Sequence, residues 1–254
     1  ILISHSMKFI DTHSHLYAKE FDSDRHDVVQ KAIESGAEKI LLPNISSKYT
    51  NRMLSLCQNF PNNCLPMMGL HPCDVNLENY ETEIKHVKKE LLTNKYIAVG
   101  EIGIDLHWDK STLEIQKKAF SKQILLAKEY NLPIVIHVRN SFEETIKIVE
   151  KYNDDKLSGV FHCFTGNINE ANRIICLKNF YIGVGGVLTF KNSNLDETIS
   201  KIDDTHLLLE TDSPYLTPVP YRGTRNESKH IIEIAKKLGE IKNISLEKVS
   251  RFTN

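Results

Sequence analysis

No apolar run in this chain approaches the ~18–20 residues that a membrane-spanning helix needs, which excludes a spanning helix. Residues 1–3 are apolar, but three residues are too few for the hydrophobic region of a signal peptide. Cysteine is scarce: the count is five, an odd number, and no CxxC pair occurs. That excludes a disulfide scaffold and makes a reducing cytoplasm the simplest home. Eight prolines and eleven glycines exclude collagen-like and low-complexity chains. Charge of one sign is missing as well, since 32 basic residues face 33 acidic ones for a net charge of −1. A dedicated nucleic-acid coat with a global basic field is therefore excluded. There is no GxSxG, Walker A, HExxH or GxGxxG motif, no linker and no repeat.

What remains is an ordinary globular composition, with 41% apolar and 26% charged residues over 254 positions. That length fits one large domain, and α/β barrels run to about 250 residues as a single unit. Met7 opens an apolar strand, so residues 7–254 are expected to form the domain and residues 1–6 an upstream remnant.

Short apolar runs alternate with amphipathic stretches along the whole chain. The runs cover residues 8–11, 39–43, 65–70, 97–99, 134–138, 159–164, 181–184 and 207–209, and they read as buried strands. Between them, helical periodicity marks residues 27–35, 50–59, 78–92, 113–130, 142–151, 169–177, 195–202 and 227–238. Strands alternating with helices pair in parallel through right-handed crossovers. Eight such units in this length predict a single-domain α/β (β/α)8 TIM barrel, with an open doubly wound sheet as the rival.

The polar residues decide between the two. Apolar runs lead into Asp11-Thr12-His13-Ser14-His15, Gly69-Leu70-His71-Pro72, Val99-Gly100-Glu101, Ile136-His137, Phe161-His162 and Leu209-Glu210-Thr211-Asp212. In a parallel barrel all strand carboxyl ends share one rim, so these residues converge there. His13 and His15, two apart, point the same way and can chelate one ion, completed by Asp212 from the neighbouring eighth strand. His137 and His162 can hold a second, with Glu101 bridging both. Nitrogen and oxygen donors together suit Zn²⁺, Mn²⁺, Fe²⁺ or Co²⁺, and an open two-metal site can use Mg²⁺. Any one of these histidines alone is more simply a hydrogen-bonded core residue. Six buried together, after apolar runs, cost several kcal/mol apiece unless a metal or partner compensates them, where a typical unpaired polar group costs about 2–7 kcal/mol.

At these residues the sequence resembles the TatD family of metal-dependent deoxyribonucleases. The matching stretches also include Ile102-Gly103-Ile104-Asp105, Val138-Arg139, Cys163-Phe164-Thr165-Gly166, Ser213-Pro214-Tyr215-Leu216 and Arg222-Gly223-Thr224-Arg225-Asn226-Glu227. The resemblance implies a TIM barrel, two divalent ions (Mg²⁺, Mn²⁺ or Zn²⁺) and hydrolysis of DNA phosphodiesters, usually as a 3′–5′ exonuclease on single strands. It places His13, His15, Glu101, His137, His162 and Asp212 on metal positions and His71 on a pocket histidine. Two departures stand out. Ser228 replaces the family's proline after Asn226-Glu227, which is expected to loosen that loop. The chain also stops at Asn254, inside what resembles the family's final helix, so a few terminal residues are expected beyond it.

The expected roles follow. Glu101 fixes the separation of the ions, and Asp212 is both ligand and acceptor of the proton of the attacking water. His71 stabilises phosphate charge or protonates the leaving oxygen. Arg139, two beyond His137, offers a fork suited to phosphate, the plain alternative being a rim salt bridge. Arg222 and Arg225, with Lys191, would add to a basic rim or simply be solvated. Glu210 is read as supporting a ligand or His71, with a buried pair to an arginine as the alternative. Asp105 and Glu227 are read as structural or supporting residues. Trp108 and Tyr215 would stack on bases or pack as a lid. Gly185-Gly186 would bind phosphate or form a tight turn, and Cys163 is expected to face the helices. The rival activity on the same metals is an amidohydrolase, lactonase or aminoacyl-ester deacylase. A non-catalytic barrel with structural metals fits poorly, because structural zinc sites are closed by four protein ligands. No membrane contact is expected, and a monomer is the default.

Overall fold

The computed structural model describes residues 7–254, so the expectation for residues 1–6 lies outside the described residues. Eight strands alternate with helices: β1 (Phe9–Asp11), β2 (Ala37–Pro43), β3 (Cys64–Met67), β4 (Val99–Asp105), β5 (Ile134–Arg139), β6 (Gly159–Phe161), β7 (Phe180–Val184) and β8 (Leu207–Leu209). The helices are α1 (Arg25–Glu34), α2 (Ser47–Asn59), α3 (Tyr80–Leu91), α4 (Leu113–Tyr130), α5 (Phe142–Tyr152), α6 (Ile168–Ile175), α7 (Leu195–Ser200), α8 (Ile231–Lys242) and α9 (Leu246–Thr253). Among the described residues no helix is long and apolar enough to cross a membrane.

All strand pairs are parallel, in the orders β1-β2-β3 and β4-β5-β6-β7-β8. Two seams close the ring. Between β3 and β4, Met68 N–H donates to Ala98 O (3.1 Å) and Gly100 N–H to Met68 O (3.0 Å). Between β8 and β1, Thr12 N–H donates to Leu209 O (3.0 Å) and Asp212 N–H to His13 O (2.9 Å). The result is the expected TIM barrel rather than an open sheet.

Alternation along the strands divides the interior. Met67, Ala98, Val135 and Val160 form a small apolar cluster of their own, joined by Leu41, Ile97 and Leu208. The neighbours in sequence, such as Ile134, Ile136, Phe161 and Leu209, belong to the large core shared with the helices. On the strand face that carries Val135 comes His137 two residues later; after Val160 comes His162, and after Leu208 come Glu210 and Asp212. The period of two therefore sets an apolar plug beneath a polar mouth. Helix faces follow the expected period: α4 buries Ile115, Ala119, Phe120, Ile124 and Ala127 and stops at Asn131, whose φ of 56° suits a left-handed C-cap.

Several boundaries differ from expectation, β3 and β6 ending early at Met67 and Phe161, and two of the differences need a physical account. β4 does not end near Glu101 but runs on to Asp105. Its register slips between Val99 and Ile102, because Gly100 and Glu101 together face the single residue Val135 of β5. A bulge of this kind re-aims a side chain, here Glu101. The last helical stretch begins as a short turn at Ser228–His230 before α8. Ser228 does not loosen it: its hydroxyl is fully buried and donates to Ser14 Oγ at 3.1 Å.

The β8–β1 seam is also pinned by a buried carboxyl. Asp11 accepts from Thr211 N–H (2.9 Å) and Thr211 Oγ1–H (2.7 Å), and burial pushes its pKa up to about 7. Thr211→Val keeps the shape but strips one donor from this buried group. The variant is expected to lose about 1–3 kcal/mol of unfolding free energy in urea titration with an unchanged slope. An unchanged midpoint would show that the seam does not depend on this bond.

Candidate metal centre

Six strands and the turns that follow them deliver seven ligand-type side chains to one mouth. Glu101 lies at the centre, 2% exposed. Its Oε2 is 3.1 Å from His13 Nε2 and 3.4 Å from His15 Nε2. Its Oε1 is 2.7 Å from His137 Nδ1, 2.8 Å from His162 Nε2 and 3.3 Å from His71 Nε2. Asp212 Oδ1 closes the first half, 3.7 Å from His13 Nε2 and 3.6 Å from His15 Nε2. Each carboxylate oxygen of Glu101 thus faces one half of the cluster. The bulge in β4 aims the side chain, and Glu101 N–H donating to Asn44 O (3.1 Å) fixes the backbone beneath it.

Protons alone serve this arrangement badly. His13 Nε2 and His15 Nε2 face each other at 3.2 Å, and the His13 and His162 rings stack at 3.8 Å. One proton can satisfy one such pair, whereas a divalent cation satisfies several lone pairs at once. Three groups place their ligand atoms within 4.8 Å of one another: His13, His15 and Asp212; His13, Glu101 and His162; and His71, Glu101 and His137. The donor set fits divalent ions held by nitrogen and oxygen.

Electrostatics prepare the ligands. Burial and the neighbouring His162 ring hold His13 well below its ordinary pKa, against the pull of Glu101, so its lone pair is available. Burial would raise Glu101, yet His162, His71 and His13 hold it well below the carboxylate range. Burial lowers His71 and pushes Asp212 up to about 6. Asp212 also sits at φ 55°, a left-handed conformation costing of order 1–3 kcal/mol outside glycine. Its carbonyl accepts from Tyr215 N–H (2.8 Å), and its own N–H is tied to His13 O.

Outer partners select the ring nitrogens. Tyr17 Oη–H donates to Pro43 O, so the 3.0 Å bond between Tyr17 Oη and His15 Nδ1 is donated by the imidazole. His15 then turns a bare Nε2 to the centre. His137 is held from behind, its Nε2 2.8 Å from Asp105 Oδ2, and so presents Nδ1. Asp105 is thereby placed as a supporting residue. Tyr17 escaped the sequence reading, although its spacing two after His15 repeats the spacing of His13 and His15.

Glu210 backs His162, not His71. It is fully buried, its Oε1 accepts from Cys163 N–H and lies 3.6 Å from His162 Nδ1, and among the described residues no arginine pairs with it. Gly183 makes the room: a Cβ there would collide with Glu210 Oε2. Cys163 does not follow strand alternation, because β6 ends at Phe161 and Cys163 turns at φ 47° to line a cavity at the mouth.

Two of the arginines expected at the basic rim are engaged within the fold. Arg225 is committed to Asp24 (2.7 Å) and Glu227 (3.0 Å), and Arg222 donates to Thr217 O and lies 3.9 Å over the Phe190 ring. Glu227 also pairs with Lys229 (2.7 Å), a structural placement. Arg139 makes no ion pair among the described residues and lies 5.5 Å over the exposed Trp108 ring. Tyr215 is half exposed, its ring 6.3 Å from that of His15. Gly186 is a packing site, since a Cβ there would strike Leu216 O, and nothing about Gly185-Gly186 marks a phosphate cradle.

A closed (β/α)8 barrel with a mixed imidazole–carboxylate cluster at its carboxyl rim defines the class of metal-dependent hydrolases. Comparison makes it specific: the family model described as TatD related DNase matches residues 10–254, and the chain belongs to that family. It is 36% identical over 245 residues to the uncharacterized metal-dependent hydrolase YabD of Bacillus subtilis, covering 96% of this chain and 94% of the relative. It is 31% identical to the uncharacterized metal-dependent hydrolase YjjV of Escherichia coli, covering 96% and 94%. The crystal structure of that TatD homologue superposes with a TM-score of 0.89 at 28% identity, over 96% of this chain and 94% of that one. A TatD family hydrolase from Entamoeba histolytica shares the fold, with a TM-score of 0.85 at 24% identity over 97% and 95% of the two chains.

The tautomer argument is testable. Tyr17→Phe leaves His15 in place without its partner and is expected to weaken divalent-ion binding 10–100-fold in competition titration against a chelating dye. Unchanged affinity would refute the assigned role of Tyr17.

Proposed function

We propose that this chain is a two-metal deoxyribonuclease that removes nucleotides from the 3′ end of single-stranded DNA. The observation that carries the reading is the Glu101 carboxylate, one oxygen toward His13 and His15 and the other toward His137 and His162. His13, His15 and Asp212 would hold one ion and His137 and His162 the other, with Glu101 shared between them. Such ions polarise a phosphoryl oxygen and lower the pKa of the attacking water.

The chain's own residues do the rest. Asp212 Oδ1 faces the histidines, and its carboxylate would take the proton released as water attacks. His71 Nε2, 3.3 Å from Glu101 Oε1, stands at the edge of the cluster and can donate to phosphate or to the leaving oxygen. Arg139 offers a guanidinium fork from the end of β5, beside Trp108, whose exposed ring can take a stacked base. Arg225 drops out of the substrate contacts, since its fork is already filled by Asp24 and Glu227. Arg222 remains a lesser candidate. The five free thiols suit a reducing cytoplasm, and the chain is read as a monomer.

The test uses chelated protein reloaded with Mg²⁺, Mn²⁺ or Zn²⁺ and given 5′-labelled single-stranded DNA. Stepwise shortening that requires metal is expected, with a loss of at least about a hundredfold in Asp212→Asn, the scale of removing one group that stabilises the transition state. Arg139→Ala is expected to raise KM more than it lowers kcat, because it removes binding shared by ground and transition states. Stoichiometric metal binding without DNA cleavage would discard the nuclease reading. Amide, lactone and aminoacyl-ester substrates would then be tried on the same centre.

A further inference from the structure

Next to the metal cluster a separate cavity of about 270 Å³ opens between the β5–α5 and β6–α6 turns. We infer that it seats the base of the nucleotide adjoining the bond that is cut; the inference rests on the nuclease reading. His162 forms part of the wall, so the cavity adjoins the reacting centre directly. Whole-ligand pockets run to roughly 300–1,000 Å³, so this space suits one ring system rather than a stretch of strand.

The lining selects the kind of group. Phe142 and Phe164 supply aromatic wall, suited to a flat ring, and the core residue Phe161 packs its ring 6.4 Å from that of Phe142. The Asn140 amide and the Thr165 hydroxyl, both on exposed residues, bring donors and acceptors to the same space. An asparagine amide offers both halves of the pairing that a base edge presents. No lysine or arginine is among the lining residues, and Glu170 contributes a carboxylate whose Oε2 already accepts from Asn167 N–H (2.8 Å) and Nδ2 (3.0 Å), with Oε1 left over. A phosphate would be repelled there, whereas an exocyclic amino group would be welcomed. Two guanidinium groups stand near this corner: Arg173 lies 5.7 Å over the Phe142 ring and is paired with Glu143 and Glu150, whereas Arg139, which ends β5, lies over Trp108. Phosphate toward Arg139 and the ions, with the base between the two turns, is the division the charges impose.

Calorimetry on the metal-loaded full chain would compare deoxycytidine 5′-monophosphate with deoxyribose 5-phosphate, which lacks the base. The nucleotide is expected to bind on the order of tenfold tighter or more. Thr165→Trp, a change on an exposed turn, is expected to fill the cavity and erase the difference while leaving deoxyribose 5-phosphate binding unchanged. Asn140→Gly, which keeps the left-handed φ of 55° without strain, is expected to narrow it. Equal affinities in the wild type, or a difference that survives Thr165→Trp, would overturn the assignment. Hydrolysis of normal and abasic-ended oligonucleotides separates the two readings. Cleavage of both at one rate, without a binding difference, rejects the base pocket and keeps the nuclease. A binding difference without cleavage of either rejects the nuclease and keeps the base site.

Discussion

A single carboxylate organises the mouth of this barrel. Glu101 is buried where an isolated charge would be unaffordable in free energy, and five imidazoles surround its two oxygens at 2.7–3.4 Å. Those rings in turn face one another at distances that neutral imidazoles alone cannot all satisfy. Remove the carboxylate and the lone pairs of His13, His15, His137 and His162 are left to converge on nothing. Its position is owed to backbone rather than to side-chain packing: two residues of β4 stand against one of β5, and Asn44 O takes the Glu101 amide.

The layer below makes that polar layer tolerable. Met67, Ala98, Val135 and Val160 plug the barrel, while a much larger apolar core joins the strands to the helices. Burying each large apolar side chain contributes about 1.5–3 kcal/mol, so the mouth can retain groups that weaken the fold. His13 Nδ1, His162 Nδ1 and Glu210 Oε2 are such groups, buried without a hydrogen-bond partner. Strand alternation links the two layers: Val135 fixes where His137 points, and Val160 does the same for His162. A one-residue slip in either strand would exchange ligand for plug.

This logic explains what the sequence could and could not disclose. The histidines were legible because each follows an apolar run, and the closing of such runs on one rim is a property of parallel barrels. The reach of β4 was not legible, since a bulge hides inside Val99–Asp105 and breaks the alternation that would have extended the strand. Arg225 looked available because Asp24 lies about two hundred positions away. Glu210 reads from sequence as supporting a ligand or His71, but which histidine it meets depends on the β7 and β8 backbones and on the space left at Gly183. Ser228 looked like a weakened turn, yet its hydroxyl finds Ser14 across the β8–β1 closure, a contact of sequence separation 214. For Arg225 and Ser228 the missing information was a partner brought near by closing the ring; for β4 and Glu210 it was the register and spacing of a neighbouring strand.

Closure also bears on how much substrate the mouth can hold. Arg25 and Arg52 meet at Asp22, Arg225 is held by Asp24 and Glu227, and Arg173 by Glu143 and Glu150. Structural pairing thus absorbs most of the guanidinium groups, in a chain whose net charge is −1. Backbone binding to nucleic acid grows with the number of phosphates neutralised. Arg139, without an ion pair among the described residues, engages few phosphates by itself, and the cavity beside His162 has a volume of about 270 Å³, room for one ring. Long duplexes gain little from such a surface, whereas a strand end needs only one phosphate at the ions and one base beside it. On the proposed nuclease reading, so few guanidinium contacts suit cutting at an end better than cutting within, and the Arg225–Asp24 pair, which spans the closure of the ring, is one of the contacts that keeps them few.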